Sequence, residues 1–132
     1  MNPNQLEIKR VIVREHDQFA MDDTLPDTPP AGEENQIVVE WEAGATANAD
    51  VTPNIDLRVT VFDHYTGDLL ESPPSTELFG LSPSGDNENK TYEQVLNLPD
   101  LVAGHMYEAS VWLIRGNTIV SFYQGPTFTA YA

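Results

Sequence analysis

The chain has no cysteine among its 132 residues, so no disulfide framework, thiolate metal centre or cysteine nucleophile is available to it. Cations are scarce as well: Lys and Arg number 6 against 21 Asp and Glu, for a formal net charge of −15. Such a surface repels phosphate backbones and anionic bilayers, because sequence-independent nucleic-acid binding needs cationic groups that displace counterions. Nucleic acid and membrane are therefore excluded as partners. No apolar run approaches the roughly 20 residues that span a bilayer. The start Met1-Asn2-Pro3-Asn4-Gln5 also lacks a charged region followed by an apolar core. The expectation is a complete, leaderless polypeptide, with the cytoplasm as the favoured compartment.

Catalytic signatures are missing too. There is no Gly-x-Ser-x-Gly, no phosphate-cradling glycine loop and no dinucleotide fingerprint. Without cysteine, hydrolysis would need a Ser beside a histidine or a pair of carboxylates. The expectation is a protein that is not an enzyme and carries no cofactor. The abundant acids are read as a solvated, aggregation-resistant surface. With only two lysines among them they also resemble the surfaces of proteins from salt-loving organisms, and a basic partner or divalent cations is the sharper alternative.

The length predicts one domain over residues 1–132, able to bury roughly two thirds of its unfolded surface. No helical period is sustained for ten residues, and short strands alternate with turn chemistry. In residues 5–14, Leu6 and Ile8 alternate and Val11 and Val13 continue in the opposite phase, which predicts a bulge or a crossing between sheets. Residues 15–35 are acidic and proline-bearing and read as a long insertion loop. Residues 36–42 set Ile37, Val39 and Trp41 against Val38, Glu40 and Glu42, the mark of a half-buried strand. Residues 43–54 read as a loose connection. Ile55, Leu57, Val59 and Val61 then point one way while Asp56, Arg58, Thr60 and Phe62 point the other. Further strands are expected near 68–72, 77–82, 90–98, 107–115 and 118–129, with a turn cluster at residues 82–89.

The most telling stretch is Leu98-Pro99-Asp100-Leu101-Val102-Ala103-Gly104-His105-Met106-Tyr107, followed by an alternating run to Ile114. A strand end, a corner turn with Gly and a buried Tyr opening the next strand point to an antiparallel two-sheet sandwich. Over roughly residues 36–129 the chain resembles a fibronectin type III domain, within the wider immunoglobulin-like sandwiches. Trp41 stands where that family places a core tryptophan on its second strand. Leu101, Gly104 and Tyr107 match the family's Leu, Gly and corner tyrosine, and Leu98 its apolar residue three before that Leu. Ala103 replaces the usual proline, and the first strand and the insertion have no counterpart. The resemblance implies a fold and leaves function open, since this scaffold hosts many binding roles. Trp41, Leu101, Gly104 and Tyr107 are accordingly assigned structural roles, with the Tyr107 hydroxyl engaged by backbone in the corner.

Arg115-Gly116-Asn117-Thr118 reads as a two-residue hairpin turn, which sets register. With Arg115 opposite Thr118, Ile114 faces Ile119, Trp112 faces Ser121 and Ser110 faces Tyr123 on one side. Ala109, Val111, Leu113, Val120 and Phe122 join Tyr107 on the other, as core. Phe62, Trp112, Ile114, Ile119 and Tyr123 would then form a contiguous outer patch, the kind of surface that marks an interaction site. A one-residue slip would exchange the two faces. The insertion, with Phe19, Met21 and Leu25, is the alternative occupant of that patch.

His16, His64 and His105 would share one pole of such a sandwich, and with Asp17 or Asp63 they would suit zinc or another transition metal. They lack the tight spacing of a ligand motif, and a solvated histidine at each turn is the favoured account. Asp86-Asn87-Glu88-Asn89 and Asp22-Asp23 supply oxygen but not a calcium-loop pattern. Asn89-Lys90-Thr91 fits a glycosylation acceptor, meaningful only in a secreted eukaryotic chain. The reading is a non-catalytic protein-interaction or assembly module whose partner is another protein or a second copy. The alternatives are a carbohydrate-binding module, with Trp112 and Tyr123 stacking on sugar rings, and a metal-dependent activity at the histidine pole.

Overall fold

The computed structural model describes residues 3–15, 35–50, 54–70, 79–98 and 100–130. In its first strand, β1 (Leu6–Glu15), the phase change between Ile8 and Val11 is resolved by a bulge. Ile8 pairs with Trp41 and Arg10 with Glu40, so Lys9 has no opposite number. The extra residue turns the second half of the strand over, and Leu6, Ile8, Val11 and Val13 all enter the core. The partner is β2 (Asn35–Ala43), whose Ile37, Val39, Trp41 and Ala43 point the same way. Glu15 and Asn35, expected within the insertion, instead close the β1–β2 ladder. The rest of the insertion lies outside the described residues.

Residues 43–54, expected as a loose connection, contain a short helix, α1 (Ala45–Ala49). Next come β3 (Ile55–Asp63), β4 (Asp68–Leu69), β5 (Phe79–Leu81), β6 (Lys90–Asn97), β7 (Met106–Arg115) and β8 (Thr118–Thr129). They form two antiparallel sheets, β1-β2-β6 and β4-β3-β7-β8, with β5 also paired to β3. The protein is an all-β, two-sheet antiparallel sandwich. Its core is the facing sets of alternate residues: Ile55, Leu57, Val59 and Val61 of β3 and Tyr107, Ala109, Val111 and Leu113 of β7 lie against those of β1 and β2.

Three devices hold the layers together. At the corner before β7, the Tyr107 hydroxyl accepts a hydrogen bond from the Val102 amide at 2.8 Å, while its ring stacks on Phe128 at 5.5 Å between centroids. Gly104, at φ +84°, lets the chain take the left-handed turn that brings Val102 back over the ring. At the opposite end, fully buried Asn48 of α1 donates to Ser84 Oγ and to the Asp86 carbonyl, both at 2.8 Å. It also accepts from the Tyr92 hydroxyl, and the Tyr92 ring stacks on Trp41 at 4.4 Å. Along the side, β1 packs on β8: the Ile8 amide donates to Ser121 Oγ at 3.1 Å, and Gly125 lies where a Cβ would come within 3.0 Å of the Ala109 carbonyl and 3.4 Å of Val11.

The corner hydrogen bond predicts that Tyr107→Phe lowers unfolding free energy by about 1 kcal/mol, the usual net worth of one such bond, in a urea titration. An unchanged midpoint would show that the ring alone holds the corner. Lys9, Lys90 and Arg115 are all engaged with acids, Lys9 with Glu7 and Glu42, Lys90 with Asp86 and Arg115 with Asp50. The remaining excess of like charge predicts that raising KCl from about 0.1 M to about 2 M raises Tm, through screening of self-repulsion. A flat or falling Tm contradicts that account.

Candidate functional site

The outer face of the five-stranded sheet is built in rows by the β3–β7–β8 register. Asp56, Ile114 and Ile119 form one row, and Arg58, Trp112 and Phe122 form the next. The hairpin pairs as its turn chemistry predicts at the start: Arg115 faces Thr118 and Ile114 faces Ile119. Then Leu113 faces Ser121, so Val120 is an extra residue and the strand turns over. The consequence corrects three assignments. Tyr123, expected outside, faces Val111 and packs against the core. Phe122, expected inside, faces Trp112 on the outer surface and is 53% exposed. Val120 is exposed as well, in place of the core position expected for it.

Within the patch, the Trp112 indole sits between two neighbours of its own row. The Arg58 guanidinium lies 5.6 Å from its centroid and the Phe122 ring 5.1 Å, tilted by 41°. A cation over an indole face is attracted by the ring quadrupole. The two contacts hold a large apolar side chain in one orientation on the surface. Ile119, at 60% exposure, extends the apolar area on one side. Phe62 does not belong to it: it pairs with Glu108, four positions along β3 from Arg58, roughly 13 Å away at strand spacing. Thr60 and Ser110 stand between. Arg58 and Phe122 are the members that pattern alone misses. Arg58 is visible as outward on β3, but only the β3–β7 register puts it against Trp112.

At one end of the same sheet the histidines are employed separately. His64 Nε2 lies 2.9 Å from Glu108 Oε2, with the Phe62 ring edge-on at 5.0 Å. Gln124 donates to the other Glu108 oxygen. The hydrogen bonds from Gln124 and His64 hold the Glu108 carboxyl below its ordinary range against the opposing effect of burial. His105 Nδ1 lies 2.9 Å from the Oδ2 of buried Asp63, and its ring stacks on Tyr65 at 4.3 Å. Asp63 Oδ1 accepts from the Tyr65 amide at 2.8 Å and the Thr66 amide at 3.3 Å. Among the described residues no group of three His, Asp or Glu is placed to hold a metal ion, and His16 lies outside them. His64 and His105 each meet a carboxylate of their own instead of one another. Trp41, Leu101 and Tyr107 are buried in the core and Gly104 forms the corner turn. An open groove of about 450 Å³ borders the patch at Asn54, Ile55, Asp56, Leu81 and Pro83. Among the described residues that line it, the titratable one is Asp56.

No family model matches this chain, and no curated protein does. Among solved structures it is similar to a candidate beta-galactosidase from Bacteroides fragilis, with a TM-score of 0.49 and 18% identity over 90% of this chain and 17% of that one. It is also similar to an alkylpurine DNA glycosylase from Pseudomonas fluorescens bound to DNA containing an abasic-site analogue, with a TM-score of 0.43 and 11% identity over 98% of this chain and 31% of that one. The chain spans less than a third of the length of either protein. Likeness of this depth assigns no activity.

The Asp63 environment predicts a pH dependence. Burial pushes its carboxyl upward, but the hydrogen bonds from His105, Tyr65 and Thr66 and the imidazole's charge outweigh this and hold it below its ordinary range. A lowered folded-state value contributes stability that is present above the unfolded value of about 3.9 and is lost as pH falls through the folded value. Asp63→Asn should therefore be less stable than the parent at pH 6, with the gap narrowing below about pH 4 in matched denaturant titrations. A pH-independent gap would assign the residue to packing alone.

Proposed function

We propose that the chain is a fibronectin type III-like, immunoglobulin-like domain acting as a non-catalytic protein-interaction or assembly module through the Arg58–Trp112–Phe122 row and the adjoining Ile114 and Ile119. The family reading is supported by the strand partition, in which the first, second and sixth strands oppose a sheet built on the third, seventh and eighth. The Tyr107 hydroxyl, bonded to the backbone five residues upstream, supports it as well. The observation that carries the functional reading is the exposure of Phe122 and Ile119 beside an indole braced on both sides, on a chain of net charge −15. Apolar and aromatic area of this kind on an otherwise charged surface is where interface energy concentrates. The acidic remainder keeps nucleic acid and anionic membrane away.

Immobilised parent chain and its Trp112→Ala and Phe122→Ser variants, challenged with lysate of the source cells, test this directly. At least one protein, the chain itself included, should be retained by the parent and lost from both variants, and retained by a Val95→Ser control on the other sheet. An identical set of retained proteins on all four surfaces removes the reading.

A further inference from the structure

We propose that the patch is self-complementary and that its occupant is a second copy of this chain, joined by a two-fold axis lying between the two outer-face rows and perpendicular to the strands. The inference rests on the interaction reading above and names its partner. A two-fold axis so placed leaves each strand facing its own counterpart with the direction reversed. The Arg58–Trp112–Phe122 row of one copy then lies on the Asp56–Ile114–Ile119 row of the other, and the reverse contact is made at the same time. The chemistry matches position by position: Arg58 meets Asp56 of the second copy, Trp112 meets Ile114, and Phe122 meets Ile119. The rows are two residues apart along β3 and β7, about 7 Å, so the four layers interlock without shifting either sheet.

The charge map selects a copy over a partner of other composition. In a chain of which 20% of residues are charged, residues 116–132 carry no charged side chain, and β8 is the longest strand. The two rows hold one acid and one base, so they are neutral on a molecule of −15. A basic partner would gain nothing from a neutral contact and would be drawn to the acids elsewhere. A partner of the same sign must approach where charge is missing, and a second copy has the same sign by construction. The edge strand of the other sheet, β1, which packs beside β8, carries Glu7, Lys9, Arg10 and Arg14, a charged edge of the kind that discourages pairing.

Sedimentation velocity over a concentration series reads the outcome. The parent chain should form a dimer that strengthens from about 0.1 M to about 1 M KCl as mutual repulsion is screened. Trp112→Ala and Ile119→Asp should each weaken it by at least about tenfold, as removal of a central anchor does. Ile119 is 60% exposed, so its variant keeps the fold if Trp112→Ala does not. Asp56→Arg and Arg58→Asp should each be monomeric alone and should form a one-to-one heterodimer when mixed, because each then supplies the charge the other lacks. A parent that stays monomeric up to about 1 mM while patch-dependent capture persists overturns the second copy and leaves the interaction reading standing. A dimer indifferent to the row substitutions, or charge variants that do not rescue each other, overturns the proposed geometry. Loss of both the dimer and patch-dependent capture removes both readings.

Discussion

One extra residue in β8, Val120, sets which side of the sheet every later residue of that strand presents, and the surface chemistry of the molecule depends on it. Without the bulge, Phe122 would lie in the core and Tyr123 would carry its hydroxyl into solvent. With it, the larger amphipathic ring of Tyr123 lines the edge of the core, and Phe122 is left outside against Trp112. An apolar ring is thereby held at the surface although the core has room for a ring at that end of the strand. The bulge is coupled to the packing of β1 on β8, where the Ser121 hydroxyl receives the Ile8 amide. A second irregularity at Gly125 brings the β8 backbone within reach of Ala109 and Val11, where a Cβ would be crowded by the Ala109 carbonyl at 3.0 Å.

Electrostatics divides the surface into two kinds. Most of it is acidic and solvated, which favours solubility and works against association with anything anionic. The outer face of the five-stranded sheet is different, since its central rows combine one acid, one base and four apolar or aromatic side chains. On a neutral protein such a patch would be unremarkable in charge. Here it is the place where another acidic molecule can come close.

At the end of the sandwich bearing His64 and His105, the carboxylates of Asp63 and Glu108 are each tied to partners of their own. Asp63 is buried and satisfied by one imidazole and two amides, which pins the β3–β4 turn to the corner before β7. Glu108 of β7 is satisfied by His64, just past the end of β3, and by Gln124 of β8. Each carboxylate is occupied by its own neighbours, and for Asp63 a buried charge met by hydrogen bonds is a structural tie.

Alternation of apolar and polar residues was enough to assign the class of fold, the inward sets of β2, β3 and β7, the bulge in β1 and the corner at Tyr107, because period-two patterning and turn residues act over a few positions. Composition alone set the charge and removed cysteine chemistry. The short helix α1 escaped that reading because five residues are too few to show a period, and its anchor, Asn48, is held by Ser84, Asp86 and Tyr92 from far along the chain. The β8 register was legible only as far as Ile119, since no glycine or proline marks Val120 and the turn-over there is tied to contact with β1. Which aromatic rings face solvent, and that a guanidinium braces one of them, was decided by strands brought together from residues 58, 112 and 122. That is a property of sheet register, which local sequence does not encode.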